Sequence, residues 1–443
     1  MSPSRVDKRK SAFSASMQLP KKRKVQAYLD PRNIRDKLGA WKELKRMQET
    51  ENRPDLPSIF TNEGPPVVIQ AQSPSKTAAL TPCNWEITAK SAQNESETEV
   101  KALKATISSL QSQVESLTQR VVAAESYRKL LQGHILDLKG PIRVICRVSP
   151  CVAASLPIDY PEAGFGCGQL HTIALNLGFA RLSFTCDQVL PPETRQTQVF
   201  AEVQSYVQAA IDGQQVTILA YGATGSGKSY TMEGSQTEAG ILPRAADCLF
   251  EGVRQQHLSA NLRIVASCLY ISDDYLHDLL CPQSHRLSIK SLGGKVVVDL
   301  LSWHEVSSPQ QLLSLWRTAK GHKRNEQASH CLFQVVLEGS DASGRIIEGQ
   351  LNLVELAGAD EAKGPDGKWL EATFSALKKV ISGRIRPNKV PCLPAYRDSK
   401  LTRILQDSLS AGKVLFLVTV ASDANKAAET RQTLGYASDL QTI

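Results

Sequence analysis

No two of the ten cysteines, scattered from Cys83 to Cys392, stand in a C-x-x-C pair. Neither zinc nor thiol redox chemistry is indicated, and reduced thiols in a cytosolic or nuclear protein fit this usage. No apolar run reaches the roughly 18 residues that cross a bilayer, so no membrane partner is expected. The first residues are charged and lack the apolar stretch of a signal peptide. Residues 54–98 are short of the apolar content that folding needs. Pro54, Pro57, Pro65, Pro66, Pro74 and Pro82 stand there among Ser, Thr, Asn and Gln, which predicts a disordered linker.

What is present is unevenly spread. The 443 residues are too many for one core and predict two or three domains. Residues 1–53 hold fifteen Lys/Arg against six Asp/Glu, which accounts for the whole net charge of +8. This basic tail suits polyanions such as nucleic acid or an acidic protein surface. Within it, Pro20, Lys21, Lys22, Arg23, Lys24 and Val25 form an exposed basic block of the kind an import receptor reads, which predicts a nuclear pool. A solvated charge run is the plainer reading. Lys37 to Gln48 is read as a short helix presenting Trp41, Leu44 and Met47 for docking.

Residues 99–139 change pattern. Val100, Ile107, Val114, Val121 and Ile135 recur every seventh position, with Arg128 as the interruption. Leu103, Leu110, Leu117, Ala124, Leu131 and Leu138 fill the complementary seam. β-branched residues at one position and leucine at the other favour a parallel two-stranded coiled coil, hence a homodimer. The competing reading, one amphipathic helix packed on a globular domain, is disfavoured by a strict 3.5-residue repeat of this length.

The rest is organised around residues 216–232. An apolar, β-branched run precedes Gly222, Ala223, Thr224, Gly225, Ser226, Gly227, Lys228 and Ser229, which fit G-x-x-x-x-G-K-[ST]. Such a turn aims backbone N–H groups at phosphates, and the following helix start adds partial positive charge. Lys228 then reaches the β/γ-phosphates, and the Ser229 hydroxyl can ligate Mg²⁺. Around this stretch, strand-like runs (142–148, 181–184, 263–271, 333–337, 351–355, 414–420) alternate with helical ones (196–211, 309–319, 370–381, 399–410). From residue 140 to 443 the layout predicts an α/β domain with a central sheet covered by helices on both faces.

Three motifs in order resemble the kinesin motor domain, and the arrangement resembles the kinesin-14 (C-terminal motor) type. Tyr221 to Met232 resembles its phosphate loop and Leu351 to Gly358 its switch II strand. Tyr396 to Leu409 resembles its microtubule-facing loop and helix. The resemblance spans about residues 120–443, with the coiled coil running into the first strand. It implies an eight-stranded mixed sheet, ATP and Mg²⁺ as ligands, Tyr230, Arg147 and Pro150 beside the nucleotide, and microtubules as partner. Arg397, Lys400 and Arg403 would face tubulin, and their charge independently suits an acidic surface. Glu355 and Gly358 would sense the γ-phosphate, and Asp360 would help place water.

This chain departs from the family where hydrolysis is performed. Switch I, Asn-x-x-Ser-Ser-Arg-Ser-His in kinesins, is represented by residues 324–330, two residues shorter. Aligned on Ser329 and His330, the phosphate-side serine falls on Gln327 and the arginine on Ala328. Switch II, usually Asp-x-x-Gly-x-Glu, has Glu355, Gly358 and Asp360, each carboxylate with the other's chain length. An Arg–Glu bridge between the switches is therefore lost. Positioning errors near 1 Å cost on the order of 10²-fold in rate, so nucleotide binding is expected with hydrolysis slow or absent. Ser149 replaces the second arginine of R-x-R-P, and Gly140-Pro141 stands where minus-end motors have Gly-Asn, with proline fixing φ at the neck. Two readings stay open. One is an ATP-dependent microtubule motor acting in spindle organisation, the other a nucleotide-binding cross-linker that does not step.

Overall fold

The β-branched run ahead of the glycine turn becomes a strand buried on both faces. In the computed structural model, residues 84–150, 156–161, 170–177, 180–256, 260–283, 286–323, 328–341, 344, 346–363, 367–385 and 395–442 are described. The basic tail, its import block, the 37–48 segment, most of the linker and Gln327 lie outside them.

In chain order, a long helix α1 (Asn84–Leu138) leads into β1 (Ile142–Ser149), β2 (Ile158–Asp159), β3 (Leu170–Asn176) and β4 (Arg181–Leu190). Then come α2 (Gln196–Ile211), β5 (Gln215–Tyr221), α3 (Lys228–Glu233), α4 (Ile241–Gln255), β6 (Ala260–Ser272) and β7 (Tyr275–Asp278). A hairpin, β8 (Ser288–Leu292) and β9 (Lys295–Asp299), precedes β10 (His304–Val306), α5 (Pro309–His322), β11 (His330–Asp341) and β12 (Ile346–Glu355). The chain continues through α6 (Lys368–Ile385), α7 (Lys400–Ile404), α8 (Gln406–Ala411), β13 (Lys413–Ala421) and α9 (Ala427–Thr442).

Eleven strands form the main sheet, three more than the resemblance implied, in the order β10-β6-β11-β12-β5-β13-β1-β4-β3-β2 with β7 beside β6. The additional pairings are antiparallel and peripheral: β2 on β3, β7 and β10 on β6. In the middle, β12, β5, β13, β1 and β4 run parallel. Parallel strands end on one edge, and ligands in such sheets bind outside the carboxyl ends. Pairing of Glu355 with Ala220, Val418 with Tyr221 and Ser149 with Ala421 brings four strand ends, those of β12, β5, β13 and β1, to one place.

Helices cover both faces. One core joins α2, α4 and α5 to the sheet, and the other joins α6, α7, α8 and α9. On α6, Leu370, Phe374, Leu377 and Ile381 follow helical spacing and are all buried, each side chain stabilising by about 1.5–3 kcal/mol. Tyr221, at the end of β5, packs edge-on against Phe374 at 5.3 Å and tilted against Tyr436 at 4.5 Å.

Two helix boundaries differ from expectation. The helix read over 399–410 is two short ones meeting at Leu405. Helix α1 starts at Asn84, inside the expected linker, because Trp85 to Glu99 contains no proline to stop it. Arg128 also interrupts the heptads for a reason: its guanidinium holds Glu125 and Asp212, each at 2.6 Å, and so faces the α/β domain. Gln132 donates to the Ser205 carbonyl, Lys413 pairs with Asp137, and Leu136 is buried in the α2-side core. Upstream, the seam residues Val100 to Val121 are 45–62% exposed, an apolar face without cover in a single chain.

Candidate functional site

Lys228 and its neighbours fold as the motif requires. Gly227 caps α3 with φ +100°, a left-handed conformation that a side chain would strain. Ser226 is buried, sharing a hydrogen bond of 2.7 Å with Thr419 on β13, which pins the loop to the sheet. The Lys228 ammonium donates to the Gly222 and Ala223 carbonyls at 3.0 and 2.9 Å. Burial lowers its pKa, opposed by the charges of Glu355, Asp360 and Glu361. A buried ammonium held by loop carbonyls at the start of a helix is a group that would meet a nucleotide's phosphates.

Gly358 lies against the loop so closely that a Cβ would sit 2.2 Å from Thr224 Oγ1. Only glycine permits that approach. The acidic residues around it work differently from expectation. The Asp360 carboxylate accepts the Thr224 backbone N–H at 2.7 Å. Glu361 accepts from the Thr224 hydroxyl at 2.9 Å and the Gly358 N–H at 3.3 Å. The Thr224 and Gly358 amides are thus capped by the protein's own carboxylates.

Glu355 departs furthest from the expected role. Its Oε1 accepts the Ser229 hydroxyl, and its Oε2 takes the Lys320 ammonium at 2.7 Å. Lys320 also pairs with Glu233 at 3.0 Å. Burial opposes the charge of Glu355, but the adjacent Lys320 ammonium holds its carboxyl below the usual carboxylate range. Burial likewise opposes the charge of Lys320, and the attraction of Glu355 outweighs it and raises the amine. Ser229 and Glu355 are the protein groups that would face Mg²⁺, and both are engaged by protein partners. Glu355 is one methylene longer than aspartate and closes directly on the serine. Ser229 donates its proton and keeps its oxygen lone pairs, so Ser229 with Glu355 nearby fits a magnesium ion that would be held beside a nucleotide's phosphates.

The remaining expected residues divide. Arg147 is buried and donates to Gln196 and Thr231 at 3.1 and 2.9 Å, with Tyr230's ring 5.2 Å away. Burial lowers its pKa, and its bonds make it a strut between β1 and the phosphate-loop helix. Pro150 is exposed just past β1. Ser329 is buried, and its hydroxyl meets no partner among the described residues. His330, fully buried, accepts the Ala357 N–H through Nδ1 at 3.0 Å, which ties β11 to the switch II turn. Lys400 bonds the Asp274 carbonyl and lies 3.5 Å from that residue's carboxylate. Arg397 and Arg403 have no ionic partner among the described residues and present free positive charge beside α7.

Lys320, Glu233 and Glu361 were missed by motif reading. Lys320 sits in the last turn of a helix, where basic residues are ordinary. Only the fold shows it half-buried against carboxylates.

Residues 170–443 match the family model described as "Kinesin motor domain". Among curated proteins, the chain is 33% identical over 361 residues to Kinesin-like protein KIN-14Q of Arabidopsis thaliana, covering 74% of this chain and 29% of that one. It is 32% identical over 378 residues to Kinesin-like protein KIN-14N of Oryza sativa subsp. japonica, covering 78% and 49% respectively. The chain therefore spans less than half the length of either. A solved structure of the "C-terminal motor and motor homology domain of Kar3Vik1 fused to a synthetic heterodimeric coiled coil" superposes with a TM-score of 0.71 at 25% identity, covering 80% of this chain and 99% of that one.

Proposed function

The chain belongs to the kinesin motor domain family, and from that premise we propose that it is a microtubule-binding, nucleotide-dependent protein of the kinesin-14 type. ATP occupies the cradle of Gly222–Ser229. One observation carries this reading: the intact loop with Lys228 buried in it, joined through Thr224, Asp360 and Gly358 to the switch II turn. Arg397 and Arg403 offer the acidic tubulin surface unpaired charge. The seam over residues 100–121 supports a parallel homodimer. The basic tail suits a second microtubule or chromatin, and its block at Pro20–Val25 suits an import receptor and a nuclear, spindle-associated role.

The mechanism is one of binding and relay. Lys228 neutralises phosphate charge, and Ser226 and Thr419 keep the loop from shifting. Asp360 and Glu361 hold the amides of Thr224 and Gly358, so a third phosphate gains those amides only by displacing carboxylates. Ala328 supplies no guanidinium to close the site. These features favour the cross-linker reading, in which nucleotide sets affinity for the filament and turnover is slow. Steady-state ATPase measured with and without microtubules decides between them. Little stimulation is expected, and strong stimulation establishes a motor. Lys228→Ala is expected to weaken nucleotide binding about 10- to 100-fold, the worth of one charge-assisted hydrogen bond.

A further inference from the structure

Building on the nucleotide-binding reading, we propose that Lys426 is a positioning residue for the nucleotide, setting the Thr224–Gly225 peptide so that its N–H is offered to a phosphate. Lys426 ends a single turn, Ala424–Lys426, between β13 and α9. Its Nζ donates to the Thr224 carbonyl at 2.9 Å. A trans peptide is planar, with its C=O and N–H pointing opposite ways. Holding the Thr224 oxygen therefore aims the Gly225 N–H away from Lys426, and that N–H meets no partner among the described residues. Gly225 also makes room for the ammonium. At φ +74° it places a hypothetical Cβ 2.7 Å from Lys426 Nζ, so a side chain there would displace the lysine.

Thr224 is held on every polar group. Asp360 takes its N–H at 2.7 Å, Glu361 its hydroxyl at 2.9 Å, and Lys426 its carbonyl from the opposite end of the sheet order. The base of the lysine is fixed as well. The Asp423 carboxylate accepts the Asn425 N–H at 2.9 Å, the Ser422 hydroxyl donates to the Ser149 carbonyl at 2.7 Å, and the Thr430 hydroxyl to the Ala421 carbonyl at 2.8 Å. The same segment of chain grips the loop a second time, where Thr419 bonds Ser226. No carboxylate pairs with Lys426 among the described residues, so its charge also remains available to attract phosphate. The plainer reading is a half-buried lysine that only steadies the turn. Such a lysine predicts no change in nucleotide affinity, which separates the two.

The test is titration of the full chain with a methylanthraniloyl-labelled ADP in magnesium buffer, followed by anisotropy, beside thermal melts of the nucleotide-free protein. Lys426→Met, which keeps the stem and removes the donor and charge, is expected to bind roughly 5- to 10-fold more weakly. Its melting without nucleotide is expected to match wild type. Lys426→Arg, which keeps both donor and charge, is expected to restore affinity to within about threefold of wild type. Lys426→Ala serves if the methionine variant does not fold, with the same loss expected. A methionine variant that binds as wild type does overturns the inference and leaves the nucleotide reading standing. An arginine variant as weak as the methionine one also overturns it, because donor and charge are then not what matters. Wild-type protein that binds no labelled ADP overturns the nucleotide reading itself.

Discussion

A histidine sealed from water loses its proton readily, and His330 is wholly buried between Trp369 and Phe374. Burial, with a smaller push from Lys323, lowers its pKa from 6.5 to about 3. The folded chain keeps it neutral while the unfolded chain protonates it, so the unfolded state binds more protons between those limits. Stability is therefore complete above about pH 6.5 and falls as pH drops toward 3, by roughly 1.4 kcal/mol per pH unit. Urea melts between pH 7 and pH 5 should show this slope. His330→Gln, which retains an acceptor for the Ala357 N–H, should flatten it; an unchanged slope assigns the effect elsewhere. The residues next to it show how chain length redirects a motif. Glutamate at 355 reaches Ser229, and aspartate at 360 reaches the Thr224 amide.

At the scale of elements, α1 has two regimes. Over Val100–Val121 its apolar seam is bare, while from Arg128 to Leu138 it is bonded to the α/β domain. Asp212 is only 3% exposed and receives Arg128, Gln208 and Gln256. Arg128→Ala should then cost about 1 kcal/mol, discounted because the guanidinium is partly in water. Amide exchange across residues 128–138 should quicken, while the native mass stays that of a dimer. A single-chain mass for the wild-type protein contradicts the coiled-coil reading, and unchanged exchange contradicts the docking role. The seam was legible because a heptad repeat is a local pattern. The docking was not, because Asp212 lies far off in sequence and reads as a loop residue. Likewise β5, β12 and β13 stand out as apolar runs, whereas β2, β7 and β10 are too short to show a period. The phosphate loop was readable residue by residue. Its ion pairs were not, since Lys320 and Glu233 belong to no motif.

For the whole molecule, the question is how the cradle communicates with the basic surface. Thr224 is bonded to Asp360 and lies close to Gly358, which joins the loop to the switch II turn. Tyr221, at the foot of the loop, packs on Phe374 of α6, and Lys379 of that helix pairs with Asp398 next to Arg397 at 3.4 Å. These contacts form a continuous route from phosphate to the charges of Arg397 and Arg403. Contiguity alone does not establish coupling; a nucleotide must bias two states of the route differently. The most direct measurement is co-sedimentation of the full chain with microtubules, comparing a non-hydrolysable ATP analogue, ADP and no nucleotide. Distinct affinities, tightest in one nucleotide state and reduced by Lys228→Ala, are the predicted result. Identical affinity in all three conditions, with a labelled nucleotide shown to be bound, contradicts the coupling on which the proposed function rests.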